Sequence, residues 1–66
     1  MNIIANGTPY DIPAGMPLAD FLAERGLMAS RVVVERNGAA LTPAETRATL
    51  LAEGDRLEIV RVVAGG

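Results

Sequence analysis

Gly54-Asp55-Arg56-Leu57-Glu58-Ile59-Val60-Arg61-Val62-Val63 is the longest candidate strand in the sequence, and it runs directly into Ala64-Gly65-Gly66. Gly54-Asp55 is a turn signal, and the β-branched and aliphatic residues beyond it favour extended backbone. Side chains alternate across a strand, so Leu57 and Ile59 share one face while Glu58, Val60 and Val62 share the other. The first set is expected to meet a core, the second to lie on the open side of a sheet.

Upstream, Asn6-Gly7 separates two extended runs, Met1 to Ala5 and Thr8 to Ile12. Asn-Gly between such runs is the strongest short-range hairpin signal, because both central residues of a type I′ turn need positive φ. Pro9 has no N–H to give to a ladder, which places the second run at a sheet edge. A helix is predicted next, with Met16 as N-cap and Pro17 in the first helical position. Leu18, Phe21 and Leu22 fall on one face of it, and Gly26 caps its C-terminus so that Leu27 folds back onto the last turn. Val32-Val33-Val34 reads as a strand, and Asn37-Gly38 turns the chain into a short extended piece, Ala39 to Leu41. Thr42-Pro43-Ala44-Glu45 is a capping box that opens a short helical turn.

The element order is therefore β-β-α-β-β-turn-β, an α+β class with a mixed sheet of four to five strands wrapped on one helix. Residues 1–66 are expected to form a single domain with a flexible Gly-Gly tail at 64–66. If the last strand lies beside the first in mid-sheet, the architecture is a β-grasp. Alternation turns Met1, Ile3, Ala5, Val32, Val34, Leu57 and Ile59 toward the helix, and leaves Ile4, Val33, Glu58, Val60 and Val62 on the open face. A solvated sheet face is normally polar, so four apolar residues there suggest a contiguous partner patch. A register shift of one residue would exchange the two faces.

Composition narrows the function. A chain of 66 residues with half of them apolar has a core but little room for a deep catalytic pocket. With no cysteine or histidine, it has neither a disulfide nor the usual zinc ligands, and no thiol or imidazole to act in catalysis. Ser30 has no neighbouring base, and Asp11, Asp20, Asp55 and the glutamates read as surface charge. The basic residues are all arginines, at 25, 31, 36, 47, 56 and 61, and they form no stripe in the sequence that would neutralise a phosphate backbone. Tyr10 and Phe21 are the only aromatics, too few for a base-stacking platform. No apolar run approaches a membrane span, and the N-terminus has no signal-peptide pattern, so a cytoplasmic location is expected. There is no lysine, which leaves the N-terminal amine as the sole primary amine. A binding or carrier role fits these limits better than an enzyme.

The tail is the remaining chemical feature. At average glycine usage, on the order of one chain in a hundred or two would end in Gly-Gly by chance. Without Cβ atoms such a tail is thin enough to thread a narrow channel and present its carboxylate to another protein.

Val32-Val33-Val34-Glu35-Arg36-Asn37-Gly38, followed by the run from Glu53-Gly54-Asp55 to Val63-Ala64-Gly65-Gly66, resembles the thiamine-biosynthesis sulfur carrier family (ThiS). The resemblance covers the whole chain, and the Gly-Asp turn leading through a β-run to Gly-Gly is its most specific part. It implies the β-grasp fold shared with ubiquitin, with no bound cofactor. It also implies that an adenylating enzyme (ThiF-like) uses ATP and magnesium to activate the Gly66 carboxylate. Sulfur from a cysteine desulfurase or another donor then replaces AMP, and thiazole synthase (ThiG-like) takes sulfur from the resulting thiocarboxylate. On this resemblance Gly65, Ala64 and Val63 form the threaded tail. Ile4, Val33, Glu58, Val60 and Val62 match the face on which this fold meets its activating enzyme. Met16 as a weak cap, and Ala64 where some relatives carry glycine, depart from expectation. Other sulfur carriers (the small subunit of molybdopterin synthase, a tRNA-thiolation carrier), a ubiquitin-like modifier and a non-reacting β-grasp module are the alternatives.

Overall fold

Asn6 and Gly7 adopt φ of 49° and 79°, closing the tight turn between β1 (Asn2–Ala5) and β2 (Thr8–Asp11) in the computed structural model, which describes residues 1–62. The two strands pair antiparallel, with Ala5 opposite Thr8 and Asn2 opposite Asp11. The chain continues through α1 (Leu18–Glu24) and a 3₁₀ turn (Ala29–Arg31) into β3 (Val32–Arg36). Then follow β4 (Ala39–Ala40), α2 (Pro43–Ala48) and β5 (Arg56–Arg61).

The sheet has five strands in the order β2-β1-β5-β3-β4. β5 runs parallel to β1 and antiparallel to β3, so the last strand lies beside the first at the centre and the topology is the β-grasp. β2, with Pro9, forms one edge and the short β4 the other.

Both Asn-Gly turns also act through their side chains. Asn6 spans to β5, its Oδ1 accepting from the Ile59 N–H at 2.7 Å and its Nδ2 donating to the Ile59 carbonyl at 3.1 Å. Asn37 Oδ1 accepts from the Arg56 N–H at 2.9 Å, and the Asn37 N–H donates to the Arg56 carbonyl at 2.8 Å. Two hairpin turns therefore grip one strand, at its middle and at its start.

One sheet face packs on α1. Ile3, Leu18, Phe21, Leu22, Val34 and Leu57 are essentially inaccessible, and Ala5 and Val32 are buried with them. Met1 and Ile59 lie half-buried against this core. Fully burying one such aliphatic or aromatic side chain is worth about 1.5–3 kcal/mol, so this layer is the main favourable term of the fold. Ile12, Met16 and Leu51 complete it.

The entry to α1 differs from expectation. Pro17, with φ −64° and ψ 139°, is the N-cap, the helix begins at Leu18, and Met16 is buried in the core instead of capping. Pro17 has no capping side chain, and the backbone takes its place. The Leu18 N–H donates to the Thr49 carbonyl at 2.9 Å, and the Leu51 N–H donates to the Met16 carbonyl at 2.9 Å. A neighbouring segment satisfies the helix start, which removes the need for a polar cap. At the other end Gly26 has φ 71°, its N–H donates to the Ala23 carbonyl and the Leu27 N–H donates to the Leu22 carbonyl. This is the Schellman closure expected of that glycine.

α2 forms as its capping box requires. The Thr42 side chain accepts from the Glu45 N–H at 3.1 Å, while Glu45 Oε1 accepts from the Thr42 N–H at 2.9 Å. The Thr42 N–H first, and the Thr42 hydroxyl second, hold the Glu45 carboxyl below its ordinary pKa. α2 packs against α1 and the 3₁₀ turn, so the sheet's helical layer has two members where one was expected. No helix among the described residues is long and apolar enough to cross a membrane.

Candidate functional site

The site is built around the end of β5. At its start, Asp55 is buried beneath the turn, contrary to its reading as surface charge. Its carboxylate accepts from Arg36 Nε at 2.9 Å, Asn37 Nδ2 at 3.0 Å and the Ala52 N–H at 2.9 Å. Burial alone would raise the pKa of this carboxyl, but the donors from Ala52, Asn37 and Arg36 outweigh it and hold the group below its ordinary value. Asp55 thus fixes the turn from which β5 departs and ties it to the β3–β4 hairpin.

Along β5 the register pairs Arg36 with Leu57, Glu35 with Glu58, Val34 with Ile59, Val33 with Val60 and Val32 with Arg61. The Val62 N–H then donates to the Arg31 carbonyl at 2.9 Å, extending the ladder one step beyond the strand. Val33, Val60 and Val62 are 46%, 62% and 53% exposed, with Val33 directly opposite Val60 and Val62 also bordering a groove that includes Arg31 and Arg61. They form an apolar face at the root of the tail. Met28, 59% exposed, borders the same end of the sheet.

The expected patch is not contiguous throughout. Ile4 is half-buried and pairs with Arg56, four positions before Val60, which is about 13 Å along a strand at roughly 3.3 Å per residue. Glu58 is exposed between the two apolar positions and faces Glu35 across the strand pair. The structure therefore brings together Val33, Val60 and Val62, and leaves Ile4 beyond a charged band. The spacing of Ile4 depends on the parallel β1–β5 register, which sequence patterning does not specify. The expected reacting group at Gly66 and the tail positions Gly65, Ala64 and Val63 lie outside the described residues.

On the helix side of the same end, two adjoining grooves meet at Arg61 and Leu27. One, of about 310 Å³, is lined by residues including Thr8, Tyr10, Phe21 and Arg25; the other, of about 360 Å³, includes Met28 and Arg31. The Tyr10 and Phe21 rings meet edge to face at 5.3 Å, and the Arg25 guanidinium sits 3.6 Å from the Phe21 centroid and 4.4 Å from that of Tyr10. Arg25 also donates to the Phe21 carbonyl at 3.0 Å. These arginines are not clustered in the sequence. The alternation that puts Leu57 and Ile59 inward also places Arg61 on the helix side, and that was the available signal.

Among the described residues, no group of three or more His, Cys, Asp or Glu side chains is placed to hold a metal ion. The buried polar side chains among the described residues are bonded, so none of them is an unpartnered group marking a ligand cavity. The distinctive features of this surface are the valine face, the arginine-lined grooves and the strand that carries the chain toward its end.

Residues 3–66 match the model of the ThiS family. Over all 66 residues the chain is 36% identical to a thiazole synthase of Magnetococcus marinus and 32% identical to one of Paramagnetospirillum magneticum. It spans about a fifth (20%) of the length of each of these curated relatives. The crystal structure of a thiamine biosynthesis protein, ThiS, from Geobacter metallireducens is similar over the full length of both chains, with a TM-score of 0.78 at 30% identity. An NMR structure of a thiamine biosynthesis protein from the same organism gives 0.74 at 29% identity, covering all of this chain and 88% of that one. With the family match extending through the valine-bearing strand to residue 66, the chain belongs to the ThiS family.

Proposed function

We propose that this protein is a sulfur carrier for thiazole formation in thiamine biosynthesis, and that the Gly66 carboxylate is its reacting group. The observation that carries this reading is the family match running to residue 66, which places the Gly-Gly end inside the family pattern. The similarity of the whole chain to one fifth of two proteins named thiazole synthase supports pairing this fold with thiazole chemistry rather than with another sulfur pathway.

The chemistry follows from the weakness of a free carboxylate as an electrophile. An adenylating partner transfers AMP from ATP to the Gly66 carboxylate with magnesium present, and pyrophosphate leaves. A persulfide from a cysteine desulfurase or similar donor then displaces AMP to give an acyl disulfide. A thiol reductant cleaves its S–S bond, regenerating the donor thiol, forming the reductant's own disulfide and leaving a C-terminal thiocarboxylate. Thiazole synthase takes sulfur from it. The chain itself supplies recognition and delivery while its partners supply catalysis. The valine face at the end of β5 is suited to this role: apolar and exposed, it lies next in sequence to the tail that must enter the partner.

Removing Gly66 tests the proposal. The shortened protein should melt with the wild-type protein, because it retains the core and the capping motifs described within residues 1–62. It should support no thiazole formation with the purified partners. An active Gly66 deletion would overturn the mechanism.

A further inference from the structure

The helix side of the tail root concentrates positive charge. Arg61, the last residue of β5, lies across the ladder from Val32, and the residue before that, Arg31, accepts the Val62 N–H at its carbonyl. Arg25 reaches the same zone from the C-cap of α1, since Arg61 lines one groove with Arg25 and the adjoining groove with Arg31. Three of the six arginines thus line the two grooves that meet where β5 ends.

Their neutralisation within the protein is slight. Arg36 is committed to Asp55, whereas among the described residues the carboxylate that Arg25 meets is that of the exposed Glu24, at 3.9 Å. Among the described residues no carboxylate lies within ion-pairing distance of Arg31 or Arg61. Arg31 and Arg61 are both exposed, although the chain carries eight acidic residues and a net charge of −2. Arg25 is also held in place by its aromatic and carbonyl contacts, so part of the ordering cost of binding an anion is already met.

The choice of arginine bears on what binds. A guanidinium presents a planar fork that matches a carboxylate with paired hydrogen bonds. It is also protonated at all relevant pH values, so it does not attack an activated acyl group as a neutral lysine amine would. Arginine therefore suits a charged collar beside a C-terminus that becomes an acyl-adenylate.

We infer that Arg25, Arg31 and Arg61 form a docking collar for a carboxylate-rich lip on the adenylating partner, opposite in charge and continuous with the valine face. This rests on the carrier reading above. The valine face supplies apolar contact, and the collar, which meets it at Val62 in the groove shared with Arg31 and Arg61, supplies electrostatic steering and orientation. Exposed charges at the rim of an interface act mainly on encounter rate and salt dependence.

The test is steady-state adenylation by the purified adenylating partner at low and high salt, with Arg31→Glu/Arg61→Glu, the neutral Arg31→Gln/Arg61→Gln and, as control, Arg47→Glu on α2. Charge reversal should raise KM for the carrier about tenfold or more at low salt, with kcat within about twofold and KM for ATP unchanged. The difference should shrink at high salt as the charges are screened. The glutamine pair should give an intermediate rise, which reports on the collar even if the glutamate pair folds poorly. Arg47→Glu should behave as wild type. Wild-type KM and salt dependence in the glutamine pair would overturn the collar while leaving the carrier reading standing. A rise in KM for ATP instead would assign the grooves to nucleotide phosphate and also overturn it. A wild-type chain that is never adenylated would remove the carrier reading and the collar together.

Discussion

Asp55→Asn changes one atom of the side chain and removes the charge on which the turn into β5 depends. In the wild type the carboxylate accepts three hydrogen bonds, from Arg36, Asn37 and the Ala52 N–H. The amide retains one acceptor oxygen and adds donors that face other donors. A hydrogen bond to a charged group is worth about 1.5–3 kcal/mol and a neutral one about 0.5–1.5 kcal/mol. Arg36 is 30% exposed at its side chain, so water compensates part of its loss. A cost of about 2 kcal/mol is expected for Asp55→Asn, and about 3 kcal/mol for Asp55→Ala, which leaves all three donors without their acceptor. At roughly 4–8 °C per kcal/mol for a domain of this size, the asparagine variant should melt about 8–16 °C lower. The pH dependence fixes the sign. The folded-state pKa lies below its ordinary value, so the carboxylate's stabilisation is fully present above the unfolded value of about 3.9 and lost as pH falls through the folded value. The gap between wild type and Asp55→Asn should therefore be constant near neutrality and close in strong acid. Thermal melts followed by circular dichroism across that range supply the test. A loss under about 0.5 kcal/mol at neutral pH, or a gap that widens in acid, would refute the assigned role of Asp55.

Asn6→Ala removes both side-chain bonds to Ile59 and a residue tolerant of positive φ, so a loss of about 1–2 kcal/mol is expected in denaturant unfolding. Unchanged stability would deny that the turn clasps β5. Thr42→Ala should cost about 1 kcal/mol by removing the capping box of α2, and Thr42→Ser should recover most of it, as read from melting temperature. Val60→Glu should shift stability by less than about 1 kcal/mol, because Val60 is 62% exposed, yet weaken binding to the adenylating enzyme in a titration. Ile4→Glu should affect that binding less than Val60→Glu, since Ile4 stands apart from the valine face. Equal effects would restore a patch spanning the whole sheet.

The legible parts of the fold are those with local physical signals. Asn-Gly turns, the Thr42–Glu45 box, Gly26 after a helix and the spacing of Leu18, Phe21 and Leu22 each act over a few residues, and each reappears in the structure. The central β1–β5 pair joins opposite ends of the chain, and no local feature specifies its parallel register. The position of Ile4 relative to Val60 depends on that register. Asp55 looked like any turn aspartate, because its partners Arg36 and Asn37 come from a different hairpin. Met16 moved from cap to core once backbone carbonyls and N–H groups from residues 49–51 tied down the helix entry. In the candidate site, alternation located Val33, Val60 and Val62, whereas the arginine grooves required α1, the 3₁₀ turn and β5 to meet in three dimensions.

The carrier account stands or falls on the chemistry at Gly66, and the absence of cysteine makes that chemistry directly readable. The protein is incubated with ATP, magnesium, its adenylating partner and a sulfur donor, treated with a thiol-alkylating reagent, and weighed intact and as tail fragments. Alkylation is essential, because exchange of oxygen for sulfur adds nearly the mass of one oxidised methionine, and Met1, Met16 and Met28 all offer that artefact. The expected result is a single alkyl group localised to Gly66, dependent on both ATP and the sulfur donor. A tail that is adenylated but never alkylated, with the chain recovered in conjugates of higher mass, would contradict it.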